Sequence, residues 1–383
     1  MSENSKAKNR QKLKKSTHGK IDIVFLSLVL VLLTVGLIML FSASYAFSYT
    51  YYGNSYFFIL RQAIFAVIGV GIMFLFAHID YHFWRKIAWP VYAVAFSLLV
   101  LLLILPPMLK GMSVKRWIVI GPLNFQPSEI AKFAIILLFA HLITSNYKQM
   151  GSWKITAVLI GILGITCGLI ILEPHLSATL LVLCIGILLM IIGGTKLSHL
   201  LIIGGGGIGA VALAIITGVV SYGGDRIKYW LDPWSDPLGE GYQVIQSLLA
   251  IGSGGIMGKG LGKSRQKYLW VPEPHNDFIF SIVCEELGII GALIIIVLFC
   301  ALVWRGLTIA IKSKDKFGSF MAAGLTFQVG LQAILNILVV TNTIPNTGIS
   351  LPFFSYGGTA LVLLLAQMGI VLSVSRDSSM QKL

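Results

Sequence analysis

The chain has 383 residues, of which 56% are hydrophobic and 11% charged, with a net charge of +14. A soluble domain carries about 25% charged residues, so this composition excludes a set of soluble domains and points to a polytopic membrane protein. The positive charge does not imply nucleic acid. Much of it lies in a tail at 1–20 (Lys6, Lys8, Arg10, Lys12, Lys14, Lys15, Lys20) with no interleaved aromatic, the pattern of a cytoplasmic anchor beside anionic lipid.

Apolar runs long enough to cross a bilayer, about 20 residues each, are expected at 21–46, 57–78, 86–107, 128–145, 154–173, 177–194, 198–220, 277–304, 317–341 and 355–375. The fold class is therefore an all-α polytopic membrane protein of about ten transmembrane helices. The long segment 221–276 between helices 7 and 8 is the large extracytoplasmic loop. The domain plan is a basic tail at 1–20, one membrane domain at 21–376 and a short cytoplasmic tail at 377–383. Ser44 and Ala46 have the small-x-small spacing of a signal peptidase site. The apolar run before them exceeds a secretory core of about 7–15 residues, so a retained first helix is expected. No internal repeat is evident. Cys167, Cys184, Cys284 and Cys300 lie in apolar runs without metal-ligand spacing and read as packing residues.

Orientation follows from Lys and Arg in the short loops. Arg85, Lys86, Lys148, Lys154, Lys196, Arg305, Lys312, Lys314 and Lys316 mark the inner loops, with both termini cytoplasmic. Loops 47–56 and 342–354 carry no Lys or Arg. The outer loop 108–127 breaks the rule with Lys110, Lys115 and Arg116, which calls for a functional reason. In segment 221–276, residues 242–251 fit a short amphipathic helix, 252–262 a flexible glycine-rich stretch near a substrate, and 263–267 a basic run. The stretch is not a nucleotide loop. Walker A needs a Gly five residues before Gly262-Lys263-Ser264, and that position is Met257.

Six ionisable residues fall in the expected outer half: Arg61, Glu129, Lys132, Glu173, Glu285 and Glu286. Glu129 and Lys132 share a face at i, i+3. Intramembrane charge marks function more often than structure, and as a set these residues point to an outward-facing polar cavity, against structural ion pairing. The inner half is nearly free of charge, which argues against an ion-coupled transporter. Near the start of the fourth helix, Lys115 and Arg116 beside a helix N-terminus suit a phosphate or diphosphate. The bland alternative is Ser128 as N-cap of a solvated basic loop. Asp277 reads either as the N-cap of the eighth helix or as a functional carboxylate beside Glu273 and His275. In the second case it accepts a sugar hydroxyl's proton or holds a divalent cation. His175 alone reads as a packing or capping residue.

The motifs in which these residues stand resemble the SEDS family (shape, elongation, division, sporulation) over nearly the whole chain from Ile21. They are Arg116-Trp117-Ile118 with Gln126-Pro127-Ser128-Glu129; Asp236-Pro237-Leu238-Gly239 with Gly241-Tyr242-Gln243 and Gln246-Ser247; Ala250 to Gly255; Pro272 to Phe280; Glu285-Glu286-Leu287-Gly288; and Pro352 to Gly358. Tyr242-Gln243 and Pro274-His275 are similar to its FtsW/SpoVE branch rather than to RodA. The resemblance implies a peptidoglycan glycosyltransferase that polymerises lipid II at the outer face of the bacterial cytoplasmic membrane in cell division or sporulation. It implies Asp277 as the essential acidic residue, whose carboxylate activates the acceptor hydroxyl, with a divalent cation, Mg²⁺ or Mn²⁺, at Asp277 or the cationic loop assisting the leaving diphosphate. Arg61, Lys115, Arg116, Glu129, Lys132, Glu173, His175, Gln243, His275 and Ser355 would contact substrate. A class B penicillin-binding protein would supply cross-linking, alongside divisome or sporulation proteins. Many members have Asp where this chain has His175, so that acid's role falls to His175 or Glu173. The competing readings are a lipid II flippase, which would need a polar path to the inner leaflet, and a non-catalytic scaffold for the penicillin-binding protein, which would tolerate substitution at Asp277, Arg116 and Glu129.

Overall fold

The computed structural model describes residues 19–105, 116–120, 123–205, 224–239 and 241–378. Lys115 and most of the expected seventh helix lie outside these residues. The long helices are α1 (Ile23–Tyr52), α2 (Phe57–His78), α4 (Ala88–Ile104), α5 (Pro127–Ser145), α6 (Trp153–Leu172), α7 (Leu176–Ile192), α11 (Ile279–Ile311), α12 (Lys316–Val340) and α13 (Gly358–Arg376). A short α3 (His82–Lys86) precedes α4, and α8 is described over 197–205. Among the described residues, seven helices are long and apolar enough to cross a membrane, and α4 and α7 are shorter apolar helices. Each matches an expected span, and this is a multi-pass membrane protein.

Two helices outrun their apolar stretches. α1 passes through Ser44 and Ala46 without interruption and stops at Gly53, whose left-handed backbone (φ 67°) lets its N–H reach Tyr49 O. The added turns carry Tyr49, Tyr51 and Tyr52, all exposed, as tyrosines are at a membrane interface. α11 continues past Arg305 to Ile311 because that charge is paired. Arg305 donates to both Asp22 carboxylate oxygens, with Nη2 to Oδ2 at 2.7 Å. Asp22 also caps α1, accepting from Phe25 N–H. Gly19 N–H bonds Arg376 O, so the described ends of the chain meet on this same face.

The core is a layer of helices around α5, α12 and α13, whose apolar side chains are buried on nearly every face. A helix apolar all round belongs inside a bundle. α13 lies along α2, and α12 along α11, α5 and α7.

The long loop is structured where it is described. α9 (Gly224–Leu231) and α10 (Tyr242–Gly254) bracket a 3₁₀ turn at Pro233–Ser235. Trp230 Nε1–H donates to Asn342 O, and Ser247 Oγ donates to Val340 O, so both helices are tied to the end of α12. The glycine-rich stretch is not the flexible segment expected. α11 is broken at Gly288 (φ 66°), and a break in a helix frees backbone groups that must find partners. The stretch supplies them: Lys259 and Gly260 N–H bond Glu285 and Glu286 O, and Ile289 and Ile290 N–H bond Gly255 and Ile256 O.

Glu285 and Glu286 close the same joint. Both are fully buried. Glu285 pairs with Lys259 at 2.6 Å and accepts from Ser264 Oγ and the N–H groups of Arg265 and Gln266. Glu286 pairs with Lys267 at 3.0 Å and accepts from Ser42 Oγ and the N–H groups of Gly262 and Ser264. These two acids are therefore structural ties, not members of an outward polar cavity. Along the unbroken α1, Ser42, which bonds Glu286, stands twenty residues from Asp22. At 1.5 Å per residue that interval is about 30 Å, one hydrocarbon thickness. The ion pairs thus stand at the membrane boundary on the Asp277 side, where charge costs less.

Candidate active site

Asp277 lies two residues before α11. It is not a helix cap: Phe278 holds the N-cap position, without a side-chain cap bond. Its main chain is held instead. Asn336, fully buried on α12, donates Nδ2–H to Asp277 O at 2.7 Å and to Ile349 O at 2.6 Å. Ser355 Oγ donates to Asn276 O and accepts from Leu351 N–H. These bonds brace the Asp277 turn against loop 342–357 and leave its carboxylate facing a cavity of about 260 Å³. Arg116, Tyr229, Trp230, Gln243, Asn346 and Gly348 share the lining. Gly348 is left-handed (φ 69°), and a Cβ there would stand 3.1 Å from Asp277 Oδ2. Gln243 Oε1 accepts from Asn346 Nδ2–H at 3.1 Å, joining α10 to this loop.

The Asp277 carboxyl is pushed up from its ordinary 3.8 to about 6. Loss of water is the main cause, the charge of Glu273 adds to it, and Arg116 opposes it. A carboxylate in this range is ionised at neutral pH and still basic enough to take a proton.

Arg116 belongs to a second cluster as well. It leads into a hairpin absent from the sequence expectation, β1 (Ile118–Ile120) and β2 (Leu123–Phe125), antiparallel with Val119 opposite Asn124. Arg116 Nη2–H donates to Pro174 O. Beneath it, Glu173 is fully buried with neither carboxylate oxygen hydrogen-bonded among the described residues. Burial pushes this acid up to about 8 against the opposing charge of Arg116, which favours its neutral form. His175 Nδ1 lies 3.2 Å from both Ser128 Oγ and Gln126 Nε2. Burial, with Arg116 and Lys132 adding to it, pushes its imidazole down to about 3. Ser128 is not the N-cap of α5; Gln126 is, with Pro127 in the first turn. Lys132 is 2% exposed and pairs with Glu129 at 2.7 Å, as the i, i+3 spacing implies, while approaching Gln332 Oε1 at 3.4 Å.

The expected site residues thus divide. Asp277, Arg116 and Gln243 line one cavity. Glu129, Lys132, Glu173 and His175 form a buried layer beside Arg116, and neither Glu173 nor His175 lines the Asp277 cavity. His275 and Arg61 lie elsewhere. The His275 ring is buried against Phe47, Phe58 and Tyr356, and burial pushes its imidazole down to about 4. Arg61 is exposed and stands 4.1 Å over the Phe57 ring. Ser355 braces the Asp277 turn. Tyr229, Trp230, Asn336, Asn346 and Gly348 were missed in the sequence. Asn346 and Gly348 sit in a loop whose only local signal is Pro345-Asn346, and Asn336 is one amide in an apolar helix. Among the described residues no cluster of three or more His, Cys, Asp or Glu side chains is placed to hold a metal.

The profile of the FtsW/RodA/SpoVE cell cycle proteins matches residues 23–380. Stage V sporulation protein E of Bacillus subtilis is 40% identical over 361 residues, 93% of this chain and 97% of that protein. A protein of Geobacter sp. (strain M18) named a probable peptidoglycan glycosyltransferase FtsW is 39% identical over 92% of this chain and 96% of its own length. Among solved structures, a chain of a peptidoglycan synthase complex, described as coordinating polymerization and crosslinking, superposes with a TM-score of 0.77 at 30% identity. It covers 94% of this chain and 99% of that one. Rod shape determining protein RodA of Thermus thermophilus superposes at 0.69 and 27% identity, covering 94% and 98%. Fold, length and sequence all agree, and the chain belongs to the FtsW/RodA/SpoVE family.

Proposed function

We propose that the protein polymerises peptidoglycan glycan strands from lipid II, with Asp277 as the general base. The observation that carries this reading is the Asp277 carboxylate, raised to about 6 and facing a cavity that Arg116 shares. In the reaction the acceptor's sugar hydroxyl gives its proton to Asp277 while its oxygen attacks the donor's anomeric carbon. The bond from that carbon to the diphosphate breaks, and the diphosphate departs with the electron pair. Arg116 answers the charge that develops on it. Tyr229 and Trp230 form the aromatic wall of a sugar site, and Gln243 with Asn346 offers amide groups to hydroxyls.

Mg²⁺ or Mn²⁺ fits this donor set in one way. Such an ion is held by one or two carboxylates plus substrate phosphates, and Asp277 provides one such carboxylate at the cavity. The ion would supply charge neutralisation at the diphosphate. Lys115 would add to Arg116, while Glu129, Lys132, Glu173 and His175 support the Arg116 hairpin from beneath. Loop charge supports an orientation with both termini cytoplasmic and the Asp277 cavity outside. The similarity to a chain of a polymerising and crosslinking complex supports a class B penicillin-binding protein as partner, in division or sporulation.

The test is glycan synthesis by the purified chain with such a partner, lipid II and Mn²⁺ or Mg²⁺, with product resolved by size. Long glycan from the wild type and none from Asp277→Asn is the expected result. Full polymer from Asp277→Asn would end the catalytic assignment. Lipid movement without polymer would replace it with transport.

A further inference from the structure

A second concavity lies on the lipid-facing side of the joint, away from the Asp277 cavity. It is a groove of about 440 Å³ between α1 and α11, roofed by the glycine-rich stretch. Val35 forms one wall, Leu287, Ile290, Ile294 and Leu298 the other, and Leu261 the roof, with Glu286, paired to Lys267, at the end where the helix breaks. From Ile290 to Leu298, past the break at Gly288, is eight residues, about 12 Å at 1.5 Å per residue. That lies within one leaflet of a hydrocarbon core of about 30 Å. Since Glu285 and Glu286 stand at the membrane boundary, the groove runs through the leaflet on the Asp277 side and stops within it.

The rim of the groove is cationic. Residues 255–270 include Lys259, Lys263, Arg265 and Lys267 and no acid. Lys259 and Lys267 are neutralised by Glu285 and Glu286. Lys263 and Arg265 are exposed and form no ion pair among the described residues. Lys263 folds its stem over the groove lining: a Cβ on Gly260 would lie 3.4 Å from Lys263 Cδ. Tyr268 and Trp270, both exposed, follow at once. Basic and aromatic side chains at headgroup level above a one-leaflet apolar slot match one class of occupant.

We infer that this groove holds an acyl chain of an anionic glycerophospholipid, such as phosphatidylglycerol, with the phosphate seated on Lys263 and Arg265. The length of the slot fits an acyl chain, whereas an undecaprenyl chain is far longer than one leaflet is deep. The site is separate from the cavity of the proposed reaction, so it stands or falls independently of that reading.

Native mass spectrometry of the full chain released from nanodiscs of equal phosphatidylglycerol and phosphatidylcholine tests this. The wild type retains one phosphatidylglycerol in preference to phosphatidylcholine, by about fivefold for each cation. Lys263→Gln with Arg265→Gln keeps a lipid but loses the preference. Ile294→Trp and Leu261→Trp fill the slot from its two sides and lose lipid of both classes. Both positions are more than half exposed (56% and 54%), so melting temperatures stay near wild type and report folding. Equal retention of the two lipids by the wild type, or undiminished retention in both Trp variants, overturns the proposal. So does a cross-link from Ile294→Cys to a partner protein's membrane helix accompanied by loss of the lipid, which would make this face a protein-docking surface.

Discussion

Asp277 works only when ionised, and its surroundings set where that happens. With its carboxyl near 6, activity falls by up to tenfold per pH unit below about pH 6. An unperturbed aspartate would hold activity down to about pH 4. A pH–rate profile on lipid II checks this, and an acid limb near 4 would show that the carboxylate is not desolvated. The imidazoles of His175 and His275 are held low, so neither contributes a limb near 6.5. Gly348 is the second residue to test. Gly348→Ala places a methyl 3.1 Å from Asp277 Oδ2 and forces a side chain into left-handed backbone, a conformation that costs about 1–3 kcal/mol. Glycan synthesis drops at least tenfold while the protein stays folded. Wild-type rates would mean that the 348 backbone yields and Asp277 does not depend on it.

Helices were legible because apolar length is a direct signature of a span, and each long helix among the described residues falls on an expected one. Their ends were less so. α1 and α11 continue into polar territory since helix propagation needs only local hydrogen bonds, and Arg305 is tolerated through a partner, Asp22, that lies 283 residues away. The site was half legible. Asp277, Arg116 and Gln243 were found through their motifs, whereas Asn336 and Gly348 act through contacts that only the packed chain creates. Glu285 and Glu286 were misread for the same reason: their lysines arrive from a loop, 26 and 19 residues earlier in the chain. A buried carboxylate that loses its role leaves a cation stranded. Glu286→Ala leaves Lys267, 3% exposed at its side chain, without its counter-ion. Removing one partner of such a pair costs about 3–5 kcal/mol. The melting temperature in detergent drops by several degrees, and Glu286→Ala with Lys267→Met recovers part of it. An unchanged melting point in Glu286→Ala would remove the joint from the account of stability.

On the scale of the whole molecule, both described ends meet at the Asp22–Arg305 face and the Asp277 cavity opens about one bilayer thickness away. The proposed orientation puts the first face in the cytoplasm. Membrane-impermeant thiol labelling of single cysteines in a background lacking the native four settles the orientation. Tyr229→Cys labels in intact cells, while Lys148→Cys, exposed on an expected inner loop, labels only after permeabilisation. The reverse pattern would put the proposed chemistry on the wrong side of the membrane for a wall polymer.

Gly258 and Gly288 meet main chain against main chain, each left-handed at φ 77° and 66°. A Cβ on either would collide with the backbone of the other's segment. Most packing contacts can drift over generations because a larger side chain here is offset by a smaller one there. This contact has no side chain to trade. The two positions are therefore closed to change both singly and as a pair, and a saturation library selected for function returns glycine at each with no second-site suppressor.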